Sequence, residues 1–170
     1  MKVFSSLEDW QDFNGQNLSS IQEWPPVALT IGNFDGVHSG HQELIHRVRQ
    51  HAQAQWGRSL LLTFHPHPVQ VLAPHKEHLR LFSLTDQQMQ LRQFGLDILF
   101  RQTFTREFSE LSAPDFLEQY LLKYFKPKMI AVGYNFTFGS HRQGNIDLLQ
   151  SFCQRHRIAL EVVPAYRSAA

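Results

Sequence analysis

The sequence predicts an α/β fold: a doubly wound parallel sheet of about five strands with helices on both faces. Three observations carry that expectation. Short apolar runs recur along the 170 residues, and the segments between them carry apolar side chains at helical spacing. The runs are nearly continuous rather than alternating, as strands covered on both faces are. Strand and helix alternate along the whole chain, which favours right-handed parallel crossovers. The class is Rossmann-like, and ligands on such sheets settle beyond the carboxyl ends of the strands.

Taken in order, residues 14–26 read as an irregular lead-in, and Val27–Ile31 (VALTI) is the first strand. A loop carrying Gly32, Asn33, Phe34, Asp35 and Gly36 follows, and His38 and His41 open a helix. Leu44, Ile45, Val48 and Ala52 fall on one face of that helix. Ser59–Phe64 is the second strand, and Pro66–Leu79 reads as a long mobile loop. Ser83, with Asp86 three residues on, forms a capping box for a helix over Leu84–Phe94 that Gly95 stops. Asp97–Phe100 is the third strand. Ser112-Ala113-Pro114-Asp115 opens a helix to about Phe125, with proline near its start and an acid in its first turn. Met129–Val132, a helix over Ile146–His156 and a strand over Ile158–Val163 complete the pattern. The loops that follow strands, 32–40, 65–80, 101–112 and 133–145, are therefore where a site is expected.

Composition narrows the function classes. The length fits one domain with a real core, and 42% of residues are hydrophobic, 14 of them Phe. A formal charge of +1 speaks against a nucleic-acid binder. The single cysteine, Cys153, supports neither a disulfide framework nor a cysteine-rich metal site, and it is expected to be buried and inert. MKVFSSLEDWQDF lacks a signal-peptide core. No run approaches the ~20 apolar residues of a membrane span. A soluble, cytoplasmic protein without nucleic-acid or membrane partners is the expectation.

The first loop carries the chemistry. A glycine loop ahead of a helix presents backbone N–H groups and partial positive charge to a phosphate. Gly40 would let a phosphate approach the backbone. His38 and His41, three residues apart, can face one anion and donate to it. Attack on the α-phosphate of a nucleoside triphosphate needs this kind of positioning and charge stabilisation. Zinc ligation competes, but no third and fourth ligand accompanies the pair. A plain tight βα connection is the other alternative. Asn135 is a turn residue or a ligand contact. Phe136 and Phe138 alternate onto one face, so at least one of them packs. Asp35 has three open roles: capping the turn, fixing a histidine tautomer or reaching a cation. His65, His75 and His78 read as exposed loop histidines, and Arg106 as a solvated arginine or an anion contact.

The stretch Gly32-Asn33-Phe34-Asp35-Gly36-Val37-His38-Ser39-Gly40-His41 resembles a known signature. It is that of the FMN adenylyltransferase (FAD synthetase) domain of bacterial bifunctional riboflavin kinase/FAD synthetases. That domain lies in the nucleotidyltransferase superfamily, marked by H-x-G-H or T-x-G-H. Thr63-Phe64-His65-Pro66-His67-Pro68 is similar to the family's T-F-x-P-H-P, and Val132–Gly139 to its G-x-N/D-F-x-F-G segment. Gly144, and Phe104 and Phe108 with Leu111, match further positions, so the resemblance spans nearly the whole chain.

The resemblance implies the reaction FMN + ATP → FAD + pyrophosphate, with Mg²⁺ accompanying ATP. It implies that Gly32, Asn33, Phe34, Asp35, His38, Gly40 and His41 surround ATP. Phe64, Pro66, His67, Pro68, Asn135, Phe136 and Phe138 would form the FMN side. His38, His41 and Asn135 would be catalytic, and no dedicated metal-binding side chains are expected. Two departures qualify this. The family's Ser-Ser/Thr-x-x-Arg segment has no match, since Arg167-Ser168 stands in the wrong order and spacing. The expectation is a domain cut before its last motif, weak in transfer, with a riboflavin kinase domain in a full-length form. Gln87 stands where the family often carries Lys, which puts a charge role there in doubt. A non-catalytic flavin- or nucleotide-binding module, and another H-x-G-H nucleotidyltransferase, are the competing expectations.

Overall fold

A computed structural model describes residues 1–16 and 24–165. Six strands form one sheet: β1 Lys2–Phe4, β2 Val27–Ile31, β3 Arg58–His65, β4 Ile98–Thr103, β5 Pro127–Gly133 and β6 Ala159–Val163. The order across the sheet is β1-β4-β3-β2-β5-β6, and every pairing is parallel. The chain runs outward from β2 through β3 to β4, then returns to pair β5 on the other side of β2. The order therefore reverses between β2 and β5, the switch point at which such sheets open a crevice.

Seven helices cover the faces. They are α1 Leu7–Gln16, α2 Ser39–Ala54, α3 Pro68–Leu72, α4 Leu84–Gln93, α5 Arg106–Ser109, α6 Ala113–Asp115 and α7 Ile146–Arg155. Helix α6 continues directly into a π-helical stretch, Phe116–Phe125, which ends at Lys126 in the left-handed region, φ 45°. Strand side chains alternate between two cores. Leu29, Ile31, Leu60, Leu62, Phe100, Ile130 and Val132 meet Trp10 of α1, the π-helical stretch and α7. Ala28, Leu61, Leu99, Met129 and Ala131 face α2 and α4. The expected stripe Leu44, Ile45, Val48 and Ala52 is buried there.

The fold class is the expected one, with several differences in detail. A sixth strand, Lys2–Phe4, pairs β4 at the sheet edge. Three residues show no periodicity, so nothing local announces it. Residues 14–16 belong to α1 rather than to an irregular lead-in, while 17–23 lie outside the described residues. The strand expected at Asp97–Phe100 starts and ends later. Asp97 is used as a clasp instead, its carboxylate accepting from Ser59 N–H and Oγ, both at 2.8 Å. The added Arg101, Gln102 and Thr103 are polar because they reach the open end of the sheet. Part of the loop expected over Pro66–Leu79 is helix α3. His67 Nδ1 caps it by accepting from Val69 N–H at 3.1 Å. The Ser83–Asp86 capping box is present as expected, and Gly95 ends that helix at φ +73°. Tyr166, Arg167 and Ser168, where the last family segment was sought, lie outside the described residues.

Candidate active site

Loops at the carboxyl ends of β2, β3, β4, β5 and β6 enclose one large cleft of about 1380 Å³. Its floor begins where β2 stops. Gly32 N–H still donates to Leu62 O at 3.1 Å, extending the ladder by one residue. The chain then turns and drives the Phe34 ring inward, where it is fully buried. A Cβ on Gly32 would lie 3.0 Å from that ring, so the glycine makes room for it. Gly36 takes φ +84°, a conformation glycine adopts without penalty.

The two histidines are locked in different ways. His38 is the N-cap of α2, its Nδ1 accepting from His41 N–H at 3.4 Å. That leaves the proton on Nε2, a donor on an exposed ring. His41 Nδ1 lies 2.9 Å from Gly36 O. A carbonyl only accepts, so this nitrogen carries the proton and Nε2 keeps a lone pair. The ring is sandwiched between Phe34, centroids 4.1 Å apart, and His38, at 3.6 Å. Burial, set partly against the Gly36 hydrogen bond and aided by His38, lowers the His41 pKa to about 4. At neutral pH the pair therefore offers one N–H and one lone pair. An anion against His41 would raise its proton affinity. Gly40 has a further use beside the expected close backbone approach. A Cβ there would lie 3.2 Å from His38 Cε1, so the glycine seats the imidazole over the helix start.

Asp35 takes one of its three open roles in an extended form. Its carboxylate accepts from Leu81 N–H at 3.2 Å and Phe82 N–H at 3.4 Å, tying the segment ahead of α4 to the first loop. His78 is not a free loop histidine. It stacks on His67, centroids 4.0 Å apart, and its Nε2 lies 3.9 Å from Asp35. His65 Nδ1 is 3.2 Å from Arg80, whereas His75 is exposed as expected. Burial, and the positive field of His78 and Arg80, push the His67 pKa down, against Asp35.

Across the cleft, β5 ends at Gly133 and the chain turns, Phe136 N–H donating to Gly133 O at 3.1 Å. Asn135 is exposed, and its amide has no hydrogen-bond partner among the described residues. Phe138 is core, as one of the two phenylalanines had to be. It is buried against Phe116, and a Cβ on Gly144 would collide with its ring. Phe136 stacks on it at 5.5 Å and stays partly exposed to the cleft. Phe64 packs on Phe104 and Phe108 and lines the same cleft, as does Pro68. Pro66 follows a cis peptide bond, and His67 lines a small side pocket next to the main cleft. Arg106 lines the cleft and donates to Val71 O at 3.3 Å.

The cleft thus gathers Gly32, Asn33, Phe34, His38, Gly40 and His41 on one wall and Asn135, Phe136 and Phe138 on another. Asp35 and His67 stand behind the first wall. Gln87, marked in the sequence only as a departure from the family's Lys, and Arg101, not singled out at all, contribute from behind the loop. Gln87 of α4, buried to 3% exposure, donates to Phe34 O at 2.6 Å. Arg101 of β4 donates to Leu84 O at 2.8 Å. Cys153 is buried, and burial pushes its thiol up to about 11. No described helix is long and apolar enough to cross a membrane.

Comparisons with known proteins agree on one family. A model of the FAD synthetase family matches residues 20–170. The bifunctional riboflavin kinase/FMN adenylyltransferase of Escherichia coli K12 is 36% identical over 123 residues, 72% of this chain and 39% of that one. The proteins of that description from Haemophilus influenzae and Bacillus subtilis are 37% and 34% identical, over 79% and 74% of this chain and 44% and 40% of theirs. The chain thus spans less than half the length of these relatives. A crystal structure described as a macrolide-efflux protein from Streptococcus pneumoniae superposes with TM-score 0.77. It shares 23% identity and covers 98% of this chain and 52% of that one, a likeness of fold.

Proposed function

The chain belongs to the FAD synthetase family, and on that premise we propose that its cleft transfers AMP from ATP to FMN. A phosphate oxygen of FMN attacks the α-phosphorus of ATP. The new O–P bond gives FAD, and the bond to the departing pyrophosphate breaks. The transfer needs no proton at the attacking oxygen, because a phosphate monoester is largely dianionic at neutral pH. What it needs is alignment and stabilisation of charge on the α- and β-phosphates.

The observation that carries this reading is the stacked His38–His41 pair at the start of α2, at the switch point between β2 and β5. His38 Nε2–H and the first N–H groups of α2 face the phosphates as donors. His41 takes up a proton as the triphosphate arrives and then donates as well. Its neutral resting state avoids burying a charge in the empty site. Asn135 supplies an amide free to bridge the two substrates. Phe64, Pro66, His67 and Pro68 border the isoalloxazine, with Phe136 beside them. Phe138 supports that wall from within the core. Phe34 backs His41, and Asp35 holds the loop, so both serve ATP from behind.

Magnesium belongs to the substrate, as MgATP. Among the described residues no three His, Cys, Asp or Glu side chains gather as a cage. Mg²⁺ commonly takes its ligands from phosphates and water. A partner riboflavin kinase domain accords with the bifunctional relatives, and a cytoplasmic setting is part of the same proposal. Residues 1–170 carry no Ser-Ser/Thr-x-x-Arg segment, so transfer by this polypeptide alone is expected to be weak. The test is FAD formation from FMN and MgATP by the purified chain, followed by chromatography. Slow FAD-forming turnover supports the reading. FMN binding without any turnover favours the non-catalytic module, and pyrophosphate release with another acceptor favours a different nucleotidyltransferase.

A further inference from the structure

Gln87, 46 residues beyond His41, reaches the loop residue on which the His41 ring rests. That residue is Phe34, and its backbone is held by a single buried side chain. Gln87 Nε2 donates to Phe34 O at 2.6 Å, a short bond between groups 53 residues apart in sequence. The amide is itself oriented. Arg101 Nη2 lies 3.5 Å from Gln87 Oε1 and donates to Leu84 O at 2.8 Å, so its guanidinium is fixed to α4. We propose that Gln87 is a positioning residue for adenylyl transfer: it fixes Phe34, and through Phe34 the plane of the His41 imidazole.

Chemistry explains why an amide serves here. The partner on one side is a carbonyl, which needs a donor. The partner on the other is a guanidinium, which needs an acceptor. An amide answers both without adding charge, and the glutamine side chain is long enough to reach both. A carboxylate would answer Arg101 but repel Phe34 O. An ammonium would answer Phe34 O but face Arg101, whose own pKa burial and Arg80 already depress. The neighbours of the His41 ring are Phe34, His38 and Gly36 O. A neutral substitution at position 87 adds no charge to this group, so a change in the His41 titration then reports on its packing.

The inference rests on the proposed role of His41, and its test separates the two. The Cε1–H of His41 is followed by NMR against pH in the folded chain, alongside kcat and KM for ATP. In Gln87→Met and Gln87→Leu, which stay apolar and add no charge, the His41 pKa rises from about 4 towards the ordinary 6.5. In both, kcat falls by about 10- to 100-fold while KM for ATP changes little. The double variant Gln87→Lys with Arg101→Met restores a donor to Phe34 O without the like charge, and brings both readouts back. A folded Gln87→Met or Gln87→Leu chain with unchanged His41 titration overturns the proposal, whatever its kcat. If neither single variant folds, a displaced His41 titration in the donor-bearing double variant overturns it, and a retained one supports it. A wild-type chain that makes no FAD would count against the proposed activity alone, because the titration is read without turnover.

Discussion

The two walls of the cleft are built on opposite plans. On the β2 wall the loop that carries the histidines is pinned by hydrogen bonds inside the protein, while Nε2 of His38 and of His41 stays open. Gly36 O holds His41, Phe34 O holds Gln87, and Asp35 holds Leu81 and Phe82. On the β5 wall Asn135 projects an amide with no partner among the described residues, while Phe138 beneath it is anchored in the core. The first wall is preorganised before any ligand comes. The second keeps its hydrogen-bonding capacity for the ligand. The difference fits their proposed tasks: charge stabilisation gains most from dipoles that need not reorganise, while recognition of a second substrate gains from groups left unsatisfied until it binds.

The largest test of the contrast is His41→Ala. It removes a donor from the preorganised wall, and FAD synthesis is expected to fall by about 10²–10⁴-fold. In a version joined to a riboflavin kinase domain, kinase activity is expected to survive intact, as measured by FMN formation from riboflavin. Equal loss of both activities would mean that the fold, and not the wall, had failed.

Asn135→Ala probes the other wall. With no internal partner to lose, the variant should melt within ~0.5 kcal/mol of wild type. FAD formation should fall by about 10- to 100-fold, through loss of a contact made only to substrate. Loss of stability in equal measure would show that the amide is structural after all. Gly40→Ala is the subtler counterpart on the β2 wall. Alanine favours the helix by up to ~1 kcal/mol, but its Cβ presses on His38 Cε1 from 3.2 Å. The expected result is a protein as stable as wild type, with transfer reduced about 10-fold. Denaturant melts and steady-state kinetics on one preparation would separate the two effects.

Most of the fold was legible because it rests on local regularities. The apolar runs around Leu29, Leu61 and Ile130 mark central strands, and Ser83 with Asp86 marks a helix start. Helix α1 was legible in principle. Leu7, Trp10 and Phe13 share one face, and Ser6 accepts from Asp9 N–H at 3.0 Å in a Ser-x-x-Asp arrangement. The site was legible where a motif gathers it into ten residues, at 32–41. It was not legible where a residue acts across the sheet. Gln87 sits in an ordinary polar helix, and nothing near it announces that it reaches Phe34. Arg101 merely follows an apolar run. One reason for Gly40 was also hidden: glycine there suggests room for a ligand, and it also makes room for the His38 ring.

The smallest expected effect concerns the resting state of the β2 wall. His41 has a folded pKa of about 4 against 6.5 for an ordinary histidine. Between these values the unfolded chain binds more protons than the folded one, so stability rises with pH through that window and is lost as pH falls. Burial likewise pushes the pKa values of His65 and His67 down, in the same direction. His41 retains some contact with solvent, so screening reduces its share to about 1 kcal/mol, or ~3 °C in Tm. Comparing the Tm of wild type and His41→Gln at pH 7 and pH 4.5 isolates that share, because glutamine does not titrate. The wild type should lose more on acidification than the variant. A saturating triphosphate should shrink the gap, since an anion that raises the His41 pKa removes the penalty for protonating it. An unchanged gap would place the nucleotide away from His41 and leave the preorganised wall without its ligand.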